Sequence, residues 1–283
     1  MLICYVISSE DEHIFQKNSY LRLPLRLGED AFKNGVISNQ KITLLTNAIL
    51  SFKYIMKVHE VKDYQIYATS ALRESKNSKE VISIIKKKTG LNIELISGLK
   101  EAKLISKGNS LEQIDFNKIF IYVDVGGGST ELSILRKGAD KISKSFKIGT
   151  VRLLNNLVDD SILMEIKHWL KSNIDIDDKI KLFATGGNIN KIQSMTGSKS
   201  GKPISYLSIK DLSNILTEFN YQERMVKFDL NPDRADVIIP ALKIFISTME
   251  FVKANKIFVP KVGLVDGIIN EIFYENSSSN LDS

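Results

Sequence analysis

Hydrophobic and polar positions along this chain fall into two recurring patterns: short apolar runs, and longer stretches with an apolar residue every three or four positions. The first marks strands and the second amphipathic helices. Residues 2–7 read as a strand, and 19–27 alternate well enough for a second. Residues 39–58 form a helix whose inner stripe is Ile42, Leu45, Ala48, Ile49, Phe52, Ile55 and Met56. A short strand over 64–68, a helix over 78–88 closed by Gly90, a strand over 93–96 and a short helix over 100–107 come next. Residues 118–125 are almost continuously apolar, as a strand buried on both faces must be.

A similar order then begins again. Strands over 131–136 and 141–147 form a hairpin around Lys137-Gly138. Helices over 151–157 and 160–172, a strand over 181–184 and helices over 188–195 and 209–218 follow. A long helix runs from Asn231 to about Ala254, with Pro232 in its first turn and Pro240 placed to kink or interrupt it. A strand over 256–259 and a helix over 264–273 complete the pattern. Strands alternating with helices make the class α/β. The expected division is a first domain over 1–117, a second over 118–275, and a disordered tail over 276–283 with three consecutive serines. The halves differ in one respect. The second opens with a strand and a glycine loop before its hairpin, whereas the first opens directly on what corresponds to the hairpin.

Composition narrows the classes. The 283 residues are 43% hydrophobic and 25% charged, values of an ordinary globular chain. The single cysteine, Cys4, excludes an intramolecular disulfide framework and a cysteine zinc finger, and three scattered histidines argue against a His-rich metal site. No apolar run approaches the ~20 residues of a membrane helix. The first residues lack the basic-then-apolar order of an export signal. The expectation is a soluble, cytoplasmic protein without a membrane partner. The net charge of +6 permits a polyanionic ligand, but the lysines are spread along the chain. Lys86, Lys87 and Lys88 read as cations at a helix C-terminus, so no nucleic-acid partner is expected.

Candidate chemistry concentrates where strands end. Residues 124–131 read Asp-Val-Gly-Gly-Gly-Ser-Thr-Glu. Gly126, Gly127 and Gly128 let the backbone approach a ligand and turn its N–H groups inward, and Ser129 adds a hydroxyl. Asp124 and Glu131 flank the loop and suit a divalent cation. The set reads as a phosphate and Mg²⁺ clasp; its plain alternative is a tight turn. No Gly-Lys-Ser/Thr follows, so it is not a Walker loop. Gly186 and Gly187 form a second glycine turn at a helix start, an anion site or simply a turn capped by Asn188. Arg73, after Ala68-Thr-Ser-Ala-Leu, suits a bidentate phosphate contact or a surface ion pair. Glu101, in Ser97-Gly-Leu-Lys-Glu-Ala, suits a general base or a favourable charge in a first helical turn. Arg234 and Asp236 read as braces of the long helix, and Trp169 as a packing residue.

These motifs, with Gly149-Thr-Val-Arg152 and Gly263-Leu-Val-Asp-Gly267, closely resemble the exopolyphosphatase/guanosine pentaphosphate phosphatase (Ppx/GppA) family over essentially the whole chain. Residues 144–155 and 231–236 are similar to its short two-domain members from Bacteroidetes. The resemblance implies two actin-like, ribonuclease-H-like domains flanking a cleft, with the last helix packing back on the first. It implies Mg²⁺-dependent hydrolysis of a terminal phosphoanhydride of polyphosphate or pppGpp, commonly by a homodimer. Glu101 would activate water, Asp124 and Glu131 would hold the metal, and Arg73, Gly126, Gly127, Gly128, Ser129, Gly186 and Gly187 would bind phosphate.

The family ordinarily begins with an apolar strand ending in an Asp-x-Gly-Ser-Asn type loop, and Met1 to Ile7 resemble the strand after it. Two expectations follow. Either Met1 is an internal residue of a longer natural chain, or the chain is a variant with weakened catalysis. Two other functions share the fold. A sugar-kinase-like nucleotide binder would bind ATP without releasing phosphate. A sensor would bind polyphosphate or nucleotide without turnover.

Overall fold

The computed structural model describes residues 1–8, 13–98, 100, 101, 104, 119–136, 142–159, 161–175, 179–199, 202–260 and 264–279, the last with side chains to 274. Contacts divide the chain into two compact units, Met1–Ile96 with Val265–Ser283, and Ser97–Leu264. The division falls earlier than Asn117, which lies outside the described residues.

The first unit opens with β1 (Leu2–Ser8) and β2 (His13–Tyr20), an antiparallel pair with Leu2 opposite Tyr20. The strand expected over 19–27 therefore lies earlier. Leu21 still exchanges backbone hydrogen bonds with Met1 at 2.9 and 2.8 Å, and Pro24 beyond it lacks the N–H a ladder needs. Next come α1 (Leu27–Asn34), α2 (Asn39–Val58), β3 (Tyr67–Ala68), α3 (Ser70–Arg73), α4 (Ser78–Thr89) and β4 (Glu94–Leu95). Helix α2 has the expected bounds, and Ser38 caps it by accepting from the Lys41 N–H at 3.4 Å. Gly90 closes α4 in the left-handed region, φ 72–74° being shared with Gly35 after α1. Ile42, Leu45 and Ile49 of α2 share a core with Leu72, Val81 and Ile85. Strands β3 and β4 are parallel and shorter than expected, two residues each.

The second unit holds β5 (Ile119–Val125), β6 (Thr130–Leu135), β7 (Ile142–Phe146), α5 (Thr150–Leu154), α6 (Ser161–Asn173), β8 (Ile180–Thr185), α7 (Gly187–Met195), β9 (Ile204–Ser205), α8 (Tyr206–Thr217), α9 (Tyr221–Phe228), α10 (Pro232–Ala235), α11 (Ile238–Phe251) and β10 (Lys256–Phe258). Its sheet runs β7-β6-β5-β8-β10-β9. The β5–β6–β7 meander is antiparallel, β5, β8 and β10 are parallel, and β9 adds an antiparallel edge. Apart from that edge, this is the topology of the expected actin-like domain. Ile121, Val123, Val125, Leu182 and Ala184 are buried in one core with Ile189 and Ile192 of α7 and Ile238, Leu242 and Phe245 of α11. The turn at 137–141 and the helix end expected over 105–107 lie outside the described residues.

Three expectations change here. The long helix from Asn231 is two helices, broken at Asp236–Val237. Pro240 then falls in the first turn of α11, where no intrahelical partner exists for its missing N–H. Helix α9 is additional, and its signal is the capping box Asn220-x-x-Glu223. The last helix, α12 (Leu264–Ser279), belongs to the first unit and continues to Ser279, past the tail start expected at 276. It packs Phe273 edge-on against His13 and Phe15, and Asp266 pairs with Lys17 at 2.6 Å.

The two units differ at one place. In the second, β5 joins the hairpin to the parallel strands. Among the described residues of the first, β1–β2 and β3–β4 remain separate sheets. No described helix is long and apolar enough to cross a membrane.

Candidate functional site

The antiparallel β5–β6 register sets Asp124 directly opposite Glu131 and Val125 opposite Thr130, with the glycine loop between them. Directly opposed residues project from the same face of the sheet. Val123 and Val125 point into the core, so Asp124 lies on the other face.

The loop is clamped from one side. Gly126 donates its N–H to the Ser129 carbonyl at 2.9 Å. The carbonyl of Gly126 accepts from the Thr150 N–H at 3.0 Å, and that of Gly127 from Val151 at 2.9 Å and Arg152 at 3.3 Å. The carbonyl of Gly128 accepts from Arg152 Nε at 2.7 Å. Three successive carbonyls are thus committed to residues 150–152. Among the described residues no protein acceptor takes the N–H groups of Gly127, Gly128 or Ser129. Successive N–H groups on the side of the loop away from its clamped carbonyls have the arrangement that suits an anion. The clamp requires backbone contact: a Cβ on Gly149 would overlap the Gly127 carbonyl and stand 2.6 Å from Gly128 N.

The second glycine turn meets the same strand end. Gly186 has φ +96°, and its Cα faces Asp124 so closely that a Cβ would lie 2.7 Å from Oδ1. Thr185 Oγ1 donates to Asp124 Oδ2 at 3.0 Å. Gly187 begins α7, and Asn188 Nδ2 donates to the Val125 carbonyl at 3.1 Å. Asn188 is therefore a strap between the two loops; no side-chain cap is formed at this helix start.

Burial raises the Asp124 carboxyl pKa, and the Thr185 hydroxyl opposes the rise. Glu131 is pushed up to about 8, first by burial, then by the charge of Glu101, with Asp124 adding to it. The hydroxyls of Ser129 and Ser145 oppose that shift, Ser145 Oγ donating to Oε1 at 2.8 Å. Glu101 is itself buried and sits in a helical turn held by its N–H to the Ser97 carbonyl at 2.9 Å and by the Lys100 N–H to Ser97 Oγ at 3.1 Å. Glu101 and Asp124 thus both act on Glu131 beside a row of N–H donors that no described protein acceptor takes.

The donor set suits a hard cation. Among the described residues no group of three or more His, Cys, Asp or Glu side chains is arranged to hold a metal alone. Mg²⁺ does not require one: it binds through one or two carboxylates and fills its shell with waters and substrate phosphate oxygens. Asp124, half-buried, and Glu131, buried, fit that mode.

The second unit thus brings together Glu101, Asp124, Gly126, Gly127, Gly128, Ser129, Glu131, Gly186 and Gly187. Arg73 lies in the first unit at the end of α3, where Nη1 donates to the Ile96 carbonyl at 2.7 Å. Thr185, Ser145 and the Arg152 clamp lie outside the candidate chemistry legible in the sequence, and residue spacing alone carries no signal for the first two. Arg152 had a signal in its place within Gly149-Thr-Val-Arg152.

Comparison with known proteins identifies relatives of the chain. A bifunctional 3-dehydroquinate synthase/phosphatase of Fusobacterium nucleatum is 28% identical over 296 residues, covering 96% of this chain and 44% of its own length. The chain thus spans less than half of that relative. Exopolyphosphatase 1 of Mycobacterium leprae is 22% identical, covering 89% of this chain and 80% of its own. The crystal structure of an exopolyphosphatase from Cytophaga hutchinsonii superposes with a TM-score of 0.76 at 21% identity, covering 95% of this chain and 92% of that one, which shows a shared fold. The model of the Ppx/GppA phosphatase family matches residues 6–275. With its clamped glycine loop and opposed carboxylates inside that match, the chain belongs to the Ppx/GppA phosphatase family.

Proposed function

We propose that the chain is a phosphohydrolase that releases terminal phosphate from inorganic polyphosphate, guanosine pentaphosphate or both. The observation that carries this is the row of N–H groups at Gly127, Gly128 and Ser129 that no described protein acceptor takes, beside Asp124, Glu131 and Glu101. Such a row, an anion nest, binds the non-bridging oxygens of a phosphoryl group without regard to what lies beyond it. Phosphoryl transfer asks mainly for positioning and charge neutralisation. Mg²⁺, held by Asp124 and Glu131, would supply that neutralisation. Glu101 would accept a proton from the attacking water as its oxygen bonds to phosphorus and the bridging P–O bond breaks, giving inorganic phosphate and a shortened chain. The reading rests on the second unit and on family membership.

A binding-only role has one observation in its favour, the two separate sheets of the first unit, which hold no described counterpart of β5. Titration with tripolyphosphate separates a nest from a turn. The amide resonances of Gly127, Gly128 and Ser129 should move, and do so with higher affinity when Mg²⁺ is present. Unmoved resonances at saturating tripolyphosphate would refute the nest. Binding without turnover, unaffected by Glu101→Gln, would establish the binding-only role.

A further inference from the structure

The Arg234 side chain reaches the second glycine turn. Its Nη1 donates to Asn188 Oδ1. Its guanidinium also lies against the Cα of Gly187, where a Cβ would overlap Nη2 and stand 3.1 Å from Cζ. Asn188 is buried, and the other end of its amide donates to the Val125 carbonyl at 3.1 Å. Val125 is the last residue of β5 and immediately precedes Gly126. Arg234 is therefore two hydrogen bonds from the entry of the first glycine loop. An arginine has donors only, so it fixes which way the Asn188 amide faces: oxygen toward Arg234, nitrogen toward Val125.

Arg234 is in turn held in place. Its N–H donates to the Asn231 carbonyl at 2.8 Å, the Tyr221 hydroxyl donates to the Pro232 carbonyl at 3.1 Å, and Arg224 Nη1 donates to the Ala235 carbonyl. Lys191 of α7 donates to the Asp229 carbonyl at 2.9 Å. Helices α9 and α10 thus form a bracket that delivers one guanidinium to the start of α7.

We propose that Arg234 is a positioning residue which, through Asn188, fixes the end of β5 and with it the placement of the first glycine loop. The consequence for turnover rests on the phosphohydrolase reading; the consequence for the loop does not. Because the relay is serial, breaking either link releases the same strand end, so the losses from the two links are shared and do not add.

The test is a double-mutant cycle of Arg234→Met and Asn188→Ala, with Asn188→Asp as a third variant that keeps the acceptor for Arg234 but loses the donor to Val125. The direct readout is amide exchange at Gly126, whose hydrogen bond closes the loop, and at Thr150 and Val151, whose hydrogen bonds hold the loop to its clamp, measured alongside the unfolding midpoint. Each single variant should speed exchange at these three amides, and kcat/KM for phosphate release should fall about ten- to hundredfold. The double variant should be no worse than the worse single, and Asn188→Asp should resemble Asn188→Ala. Losses that multiply in the double variant, or exchange unchanged at all three amides, would overturn the proposal. A uniform fall in stability without selective exchange at the loop would mean a merely structural role and would overturn it too. Should Arg234→Met fail to fold, Arg234→Lys keeps the charge and stem but not the fork, and the same exchange readout decides. Altered loop exchange in a protein with no turnover would sink the phosphohydrolase reading and leave the relay standing.

Discussion

Asp124 and Glu131 stand directly opposite each other across the β5–β6 hairpin, Asp124 half-buried and Glu131 buried, with the glycine loop as their only connection along the chain. Their proximity, and that of Glu101, makes the site electrostatically crowded before any cation or phosphate arrives.

That crowding has a pH signature. Folding raises the Glu131 pKa from 4.5 to about 8, with burial the first cause and Glu101 the second. Across that interval the folded protein keeps a proton which the unfolded chain releases. The stabilisation is therefore full below about pH 4.5 and is lost as the pH rises through about 8. Glu131→Gln removes this titration while keeping the shape. In urea unfolding without divalent ions, wild type should lose stability relative to Glu131→Gln from acidic to mildly basic pH and then level off. Parallel curves would show that Glu131 is not held protonated.

Gly149→Ala tests the clamp. Its methyl would overlap the Gly127 carbonyl, and the atoms it would meet are all backbone, which leaves no flexible side-chain end to give way. The strain should cost about 1–3 kcal/mol of stability and reduce turnover about a hundredfold through loop displacement. Thermal unfolding and steady-state kinetics of the variant check both; a neutral result would mean that the 149–152 segment does not set the loop.

Arg152→Met tests the same clamp from its side chain. Arg152 is buried and its Nε supplies the bond to the Gly128 carbonyl. Methionine keeps the apolar stem but leaves that carbonyl without its donor, so destabilisation of about 1–3 kcal/mol is expected by denaturant titration. Tripolyphosphate affinity should weaken in parallel as the N–H row loses its backing.

Much of this was legible in advance, for identifiable reasons. Residues 39–58 form a helix with the bounds read from their apolar spacing because Ser38 and the stripe from Ile42 to Ile49 act together, local cap and core agreeing. The opposition of Asp124 and Glu131 follows from a buried strand, a four-residue loop and a returning strand. The second strand lies earlier than expected because Leu21, Leu23, Leu25 and Leu27 alternate like a strand, while pairing with β1 stops at Leu21 and Pro24 has no N–H with which to extend it. The last helix outran its expected end because serines at 277–279 end a propensity pattern but do not forbid helical backbone. What no local pattern carries is distance along the chain: Ser145 on Glu131, Arg152 behind Gly128 and Arg234 on Asn188 join residues that only the fold brings together.

The capping box that reveals α9 offers a local check on that last group. Asn220→Ala removes the acceptor for the Glu223 N–H, at 3.0 Å, and should cost about 1 kcal/mol. Because α9 holds α10, the loss should also appear as faster amide exchange at Arg234 and Ala235, which donate to Asn231. Unchanged exchange there would detach α9 from the bracket.

The most direct measurement of the proposed function is phosphate release from long-chain polyphosphate, guanosine pentaphosphate and ATP, with Mg²⁺ or with EDTA, for the wild-type chain and Glu101→Gln. The expected result is Mg²⁺-dependent release from at least one of the first two substrates, falling by about 10²–10⁴ in Glu101→Gln while tripolyphosphate binding is retained. Release that persists in EDTA, or that is equal in wild type and Glu101→Gln, or its absence with every substrate, would contradict the proposed chemistry.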